Sequence, residues 1–213
     1  MYTSEEVKQA GIVYLEEGLK SFTLSNGAKF TVYSSPYTPE FCQWAFAYEP
    51  SKEDRFNPPY ASPVESVHEK KMPVNPVPDF PEVDIMVTHG PPYGIFDQVY
   101  RSPLRVGCKN LLSADTRAKP RIHVFGHIHE GYGAGVKSWA TGTLDEVKCD
   151  LETVLEDRCA YYNASAGSNG GPRPLTHGEE TLFVNASVVT VAYEPINAPW
   201  LIDLDLPVAD EKR

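Results

Sequence analysis

Apolar positions along the chain fall in short blocks, and most blocks carry a strand pattern. Residues 12–15 (IVYL) predict a short apolar strand. Residues 19–25 and 28–33 flank Asn26-Gly27, a pairing that predicts a hairpin closed by a type I′ turn. The aromatic segment 41–48 (FCQWAFAY) is expected to pack into the core, although its period is ambiguous. From Pro50 to Pro81 the pattern dissolves. Eight prolines in that stretch exclude a helix or a central strand and predict a long surface loop or a strap. Order returns at 83–88 (VDIMVT), a buried-strand pattern that stops at His89-Gly90-Pro91-Pro92. Residues 107–118 predict a short helix with Leu111 and Leu112 on its apolar face and Pro120 beyond its end. A second buried strand, 121–125, stops at Gly126-His127-Ile128-His129. Extended structure is expected over 135–148 with a turn at Gly142, and a helix over 149–160 with Leu151, Val154 and Leu155 facing inward. A Gly/Ser-rich loop spans 163–178, and strands at 181–193 and 200–206 follow it. Strands with helices between them point to a layered α/β or α+β fold.

The chemistry concentrates on three histidines that follow buried strands. His89 comes directly after one, and His127 and His129 directly after the other. In extended backbone, positions i and i+2 point to the same side, so His127 and His129 can face one site. Gly126 is the residue expected to let the chain turn there. Imidazole suits zinc, iron, manganese and similar cations, and strand C-terminal ends are where α/β folds place their sites. A lone H-x-H is nonetheless more often an ordinary surface or core feature. His123, inside a strand, is expected to be a core histidine, and His68 and His177 to be solvated. Arg101, Arg105 and Arg121 are phosphate-binding candidates.

Composition narrows the class. A chain of 213 residues with 41% hydrophobic content buries about 70% of its unfolded surface, which excludes a disordered or disulfide-stapled chain and predicts one domain over 1–213. The net charge of −10 argues against general nucleic-acid or anionic-membrane binding. No run approaches the ~18 apolar residues that span a bilayer, and no signal-type segment opens the chain, so a cytoplasmic location is expected. The four cysteines form no CxxC pair and are expected to be free thiols.

The segments VDIMVTHGPP (83–92) and RIHVFGHIHEGYG (121–133) closely resemble the calcineurin-like metallophosphoesterases. The branch they most resemble is that of the metallophosphoesterase-domain-containing brain proteins and their fungal relatives. GIVYLEEG (11–18), YSSPYTPEFCQWAF (33–46), RVGCKNLL (105–112) and TLFVNAS (181–187) extend the likeness over nearly the whole chain. The resemblance implies a four-layer αββα sandwich. It implies that His89 and His127 are ligands of a second metal and His129 of a first, with divalent Mn, Zn, Fe or Mg as cofactor. It places Asn185 near the site, the alternative being an ordinary strand-end hydrogen bonder. Asp97, read from its position, either orients His89 or caps a turn. The implied activity is hydrolysis of phosphomonoesters or phosphodiesters.

The family's earlier motifs, D-x-H, G-D and G-N-H, are not found in this sequence. The chain therefore resembles the C-terminal two-thirds of the family fold, with the N-terminal strands of the first sheet missing. Neutral histidines without a bridging carboxylate predict partial occupancy by one ion at most, and weak or no activity alone. The alternative is a non-catalytic remnant that binds a partner, with self-association through an exposed sheet face.

Overall fold

The computed structural model describes residues 4–62, 73–100, 102–166 and 174–208. In chain order the elements are α1 (Glu5–Gln9), β1 (Gly18–Thr23), β2 (Lys29–Ser35), β3 (Thr38–Pro39), β4 (Ala47–Tyr48), β5 (Ile85–Thr88), α2 (Lys109–Ala118), β6 (Ile122–Phe125), β7 (Gly133–Ser138), β8 (Leu144–Glu146), α3 (Leu151–Asp157), β9 (Ala160–Asn163), β10 (Glu180–Asn185) and β11 (Trp200–Asp203). Seven strands form one mixed sheet in the order β1-β2-β5-β6-β10-β7-β8, and β9 and β11 pair separately.

Register explains how the sheet buries both faces. Tyr33, Met86, His123, Phe183 and Gly135 sit opposite one another across five strands, and Val32, Ile85, Ile122, Leu182 and Val136 form the adjacent row. Side chains alternate in direction along each strand, so the two rows point to opposite faces. The first row meets α2 and the proline-rich strap: Tyr33 and Met86 cluster with Phe56, Val77, Leu111, Ala114 and Ala118. On the second face Ile122, Leu182 and Val184 pack with Tyr162, Trp200 and Ile202 of the β9–β11 pair. The result is an α+β sandwich with α2 on one side and a small second sheet on the other.

The described parts of the strap, residues 50–62 and 73–81, are clamped to the sheet and α2. Phe56, Asn57 and Val77 are buried, and Arg117 of α2 reaches both of its ends. Its guanidinium donates to Asn57 Oδ1 (3.1 and 3.2 Å), Phe56 O (3.3 Å) and Val77 O (3.1 Å), and it pairs with Asp79. Arg55 pairs with Glu17 (2.7 Å) and Glu53 (2.6 Å) and stacks 3.4 Å over the Tyr37 ring.

Several expectations change. The hairpin turn is not type I′, because only Gly27 (φ 89°) has positive φ and Asn26 does not. Leu24 N donates to Ala28 O and Gly27 N to Leu24 O, which is a type I turn followed by a left-handed glycine. Residues 12–15 belong to no strand, and Ile12, Val13 and Tyr14 are exposed. The 41–48 segment does not enter the core as a whole. Cys42, Gln43 and Phe46 adopt positive φ, which bends the backbone so that Phe41, Trp44 and Phe46 face out and only Tyr48 is buried. Leu151 and Leu155 of α3 are about 70% exposed, so that helix buries no apolar face. The four cysteines are free, as expected. No helix among the described residues is long and apolar enough to cross a membrane.

Candidate functional site

β2, β5, β6 and β10 run parallel, so the loops that follow them emerge at one end of the sheet. These are the loops that begin at residues 36, 89, 126 and 186. Backbone bonds tie them together: Gly126 N donates to His89 O (3.0 Å) and Ala186 N to Phe125 O (2.7 Å). Parallel pairing therefore brings His89 and His127, 38 positions apart in sequence, to a ring-centroid separation of 4.8 Å.

The two rings share a 450 Å³ cleft with His129, and the cleft is walled by Trp44, Val191 and Tyr193. Trp44 meets His127 edge to face at 5.8 Å, and Tyr193 meets His129 at 5.2 Å. Burial lowers the pKa of His89, and it lowers that of His127 with further contributions from His89 and His129. Both rings are thus held in the neutral form, which offers the lone pair a cation needs.

The turn that delivers these rings differs from the sequence expectation. His127 itself takes the left-handed conformation (φ 68°), not Gly126, and His129 opens a 3-10 turn over His129–Gly131. The segment is not extended, and His127 and His129 share the cleft because of this turn. A close approach fixes its exit: a Cβ on Gly131 would lie 1.9 Å from Phe96 O.

Asn185 is the structural key to this loop. Its side-chain amide donates to Ile128 O (2.8 Å) and Phe96 O (3.3 Å), and its Oδ1 accepts from Ser187 N (3.1 Å) and Ser187 Oγ (2.8 Å). Ile128 lies between the two histidines, so Asn185 holds the H-x-H turn to the end of β10. Asp97 does not orient His89. It is fully buried and accepts from Gly94 N (2.8 Å), Gly107 N (3.0 Å) and Arg105 (2.9 Å), which closes the 94–107 loop. Arg105 is therefore committed to Asp97, and Arg121 to Asp84 (3.2 Å), rather than to an anion in the cleft. His123 is buried as expected. His177 is half-buried against Phe80 (4.9 Å), not simply solvated. His68 and Arg101 lie outside the described residues.

Among the described residues, no cluster of three or more His, Cys, Asp or Glu side chains is arranged to hold an ion. Glu130, the carboxylate bordering the cleft, accepts from Tyr100 N (2.9 Å). Two neutral imidazoles in contact can share one borderline cation with water. A binuclear centre needs anionic ligands to hold two dications together, and the described residues do not fit one.

No protein-family profile matches the chain. Comparison with curated proteins does find relatives. The chain is 36% identical over 179 residues to metallophosphoesterase domain-containing protein 1 of Homo sapiens and of Mus musculus. The match covers 84% of this chain and 37% of each relative, so the chain spans little more than a third of their length. A UPF0046 protein of Caenorhabditis elegans is 34% identical over 106 residues, 48% of this chain and 22% of that protein. With the α+β sandwich and the strand-end histidines, these similarities lead to one conclusion: the chain belongs to the metallophosphoesterase family.

Proposed function

We propose that the cleft of His89, His127 and His129 is the histidine portion of a phosphoester-directed metal site. In this reading it engages one divalent cation (Mn, Zn, Fe or Mg) weakly and with partial occupancy. The observation that carries it is the contact of the His89 and His127 rings at the ends of two parallel strands, with His129 in the same cleft. A bound divalent cation would supply Lewis acidity toward a phosphate oxygen. The protein's own contribution is positional. Asn185 fixes the turn, burial favours the neutral form of His89 and His127, and Trp44 and Tyr193 stand edge-on to His127 and His129.

Efficient phosphomonoester or phosphodiester hydrolysis is not expected from these residues alone, because no carboxylate among them stands ready to bridge two ions. The second reading, a non-catalytic module that binds a partner or another copy through the old scaffold, is favoured by the same lack. One assay tests the expectation of weak or absent hydrolysis. Turnover of bis(para-nitrophenyl) phosphate with added manganese is measured for the parent and for a His127→Ala, His129→Ala double variant. Equal background rates in the two are expected. Turnover in the parent that disappears in the variant would overturn the reading of weak or absent hydrolysis.

A further inference from the structure

A second cavity adjoins the histidine cleft. It has a volume of 620 Å³ and shares Trp44 and His127 with the cleft, while Tyr37, Phe41, Leu104, Val106 and Ile128 supply apolar parts of its remaining wall. This lies within the range of about 300–1,000 Å³ typical of small-molecule sites. Its chemistry is one-sided. Cys108 at its base is occupied by Tyr48 Oη (2.9 Å) and Leu111 N (3.3 Å), and burial pushes its thiol up to about 11. Glu40 at the rim accepts from Gln43 N (3.0 Å).

Large apolar side chains around this hollow are left in solvent: Phe41 is 59%, Trp44 54% and Leu104 65% exposed. His127 in its wall holds positive φ, and so do Cys42, Gln43 and Phe46, the sequence neighbours of its lining residues Phe41 and Trp44. Backbone strain of this kind persists where the fold must present particular groups, and here it turns three aromatic side chains outward beside the histidines.

We propose that this cavity binds the apolar leaving group of a phosphoester, a flat aryl or compact branched alkyl group the size of a naphthyl. The wall is continuous with the histidine cleft through Trp44 and His127, so a phosphoryl group at the histidines places its ester substituent against Phe41, Leu104 and Ile128. The assignment of this substituent rests on the phosphoester reading of the cleft, but the cavity itself requires no metal.

The test uses the full chain in EDTA, with ligand-observed NMR titration of naphthol, naphthyl phosphate and inorganic phosphate. Naphthol and naphthyl phosphate are expected to bind the parent. Both should weaken about tenfold in Leu104→Ser, the change expected when one exposed leucine's apolar contact is lost. Leu104→Met should restore binding. Failure of naphthol to bind the parent, or equal binding by parent and Leu104→Ser, would overturn the proposal. So would concentration-dependent dimerisation of the parent that Leu104→Ser abolishes, since a second copy would then fill the cavity. Naphthol binding by the parent in EDTA, together with manganese binding that His89→Ala leaves unchanged, would support the cavity and refute only the metal reading of the cleft.

Discussion

Replacing His123 by alanine is expected to cost about 3–5 kcal/mol of stability near neutral pH, the range for removing one partner of a buried charged pair. His123 Nδ1 lies 2.9 Å from Asp115 Oδ1, bent away from a straight hydrogen bond, and both side chains have zero exposure. Thr88 Oγ1 donates to Gly90 O (2.8 Å) and contacts His123 Nε2 (2.9 Å), which fixes the ring from its other side. The imidazole is therefore held edge-on to the Asp115 carboxyl. Burial raises the Asp115 pKa, and His123 is what opposes that rise. Without His123 the fold favours the protonated carboxyl more strongly. That preference has no cost below the ordinary carboxylate value of about 4, and the cost grows as pH rises above it. Chemical denaturation should therefore show a larger defect at pH 7.5 than at pH 5, and adding Asp115→Asn should recover part of it. A pH-independent loss below about 1 kcal/mol, typical of an ordinary substitution, would show that His123 does not offset the burial of the Asp115 carboxyl.

Arg117→Ala is expected to cost about 3 kcal/mol, because it orphans buried carbonyls as well as removing charge-assisted bonds. One guanidinium serves Asn57, Phe56, Val77 and Asp79, which anchors both ends of the proline-rich strap to α2. Lysine should not rescue it, since a single ammonium cannot span the planar fork. Thermal unfolding of parent, Arg117→Ala and Arg117→Lys checks this. Two variants within about 0.5 kcal/mol of the parent, the usual range for surface substitutions, would mean that the strap is held by its apolar contacts alone.

Much of the fold was legible because buried strands and the H-x-H spacing leave direct marks in the sequence. Histidines at strand ends were readable, and parallel pairing brings two of them together. Strand length was harder to read. Residues 181–193 look extended throughout, yet β10 ends at Asn185, because Phe125 and Gly133, its last partners on either side, end their own ladders there. A strand's reach is set by its neighbours, which local pattern does not reveal. The α3 leucines made the same point, since an apolar face predicts burial only when something covers it. Asn185 was singled out near the site. Its role as the pin of the H-x-H turn depends on contacts to residues 57 and 89 positions away. Trp44 was expected in the core, and only the positive φ values around it show why it stands beside His127 instead.

The central claim is that the histidines of this chain hold at most one divalent ion, and hold it weakly. The most direct test is elemental metal analysis of tag-free protein after equilibration with manganese or zinc and extensive dialysis. The expected result is less than one ion per chain, falling further in His127→Ala, as two neutral imidazoles without a carboxylate require. Two tightly retained ions per chain would contradict it.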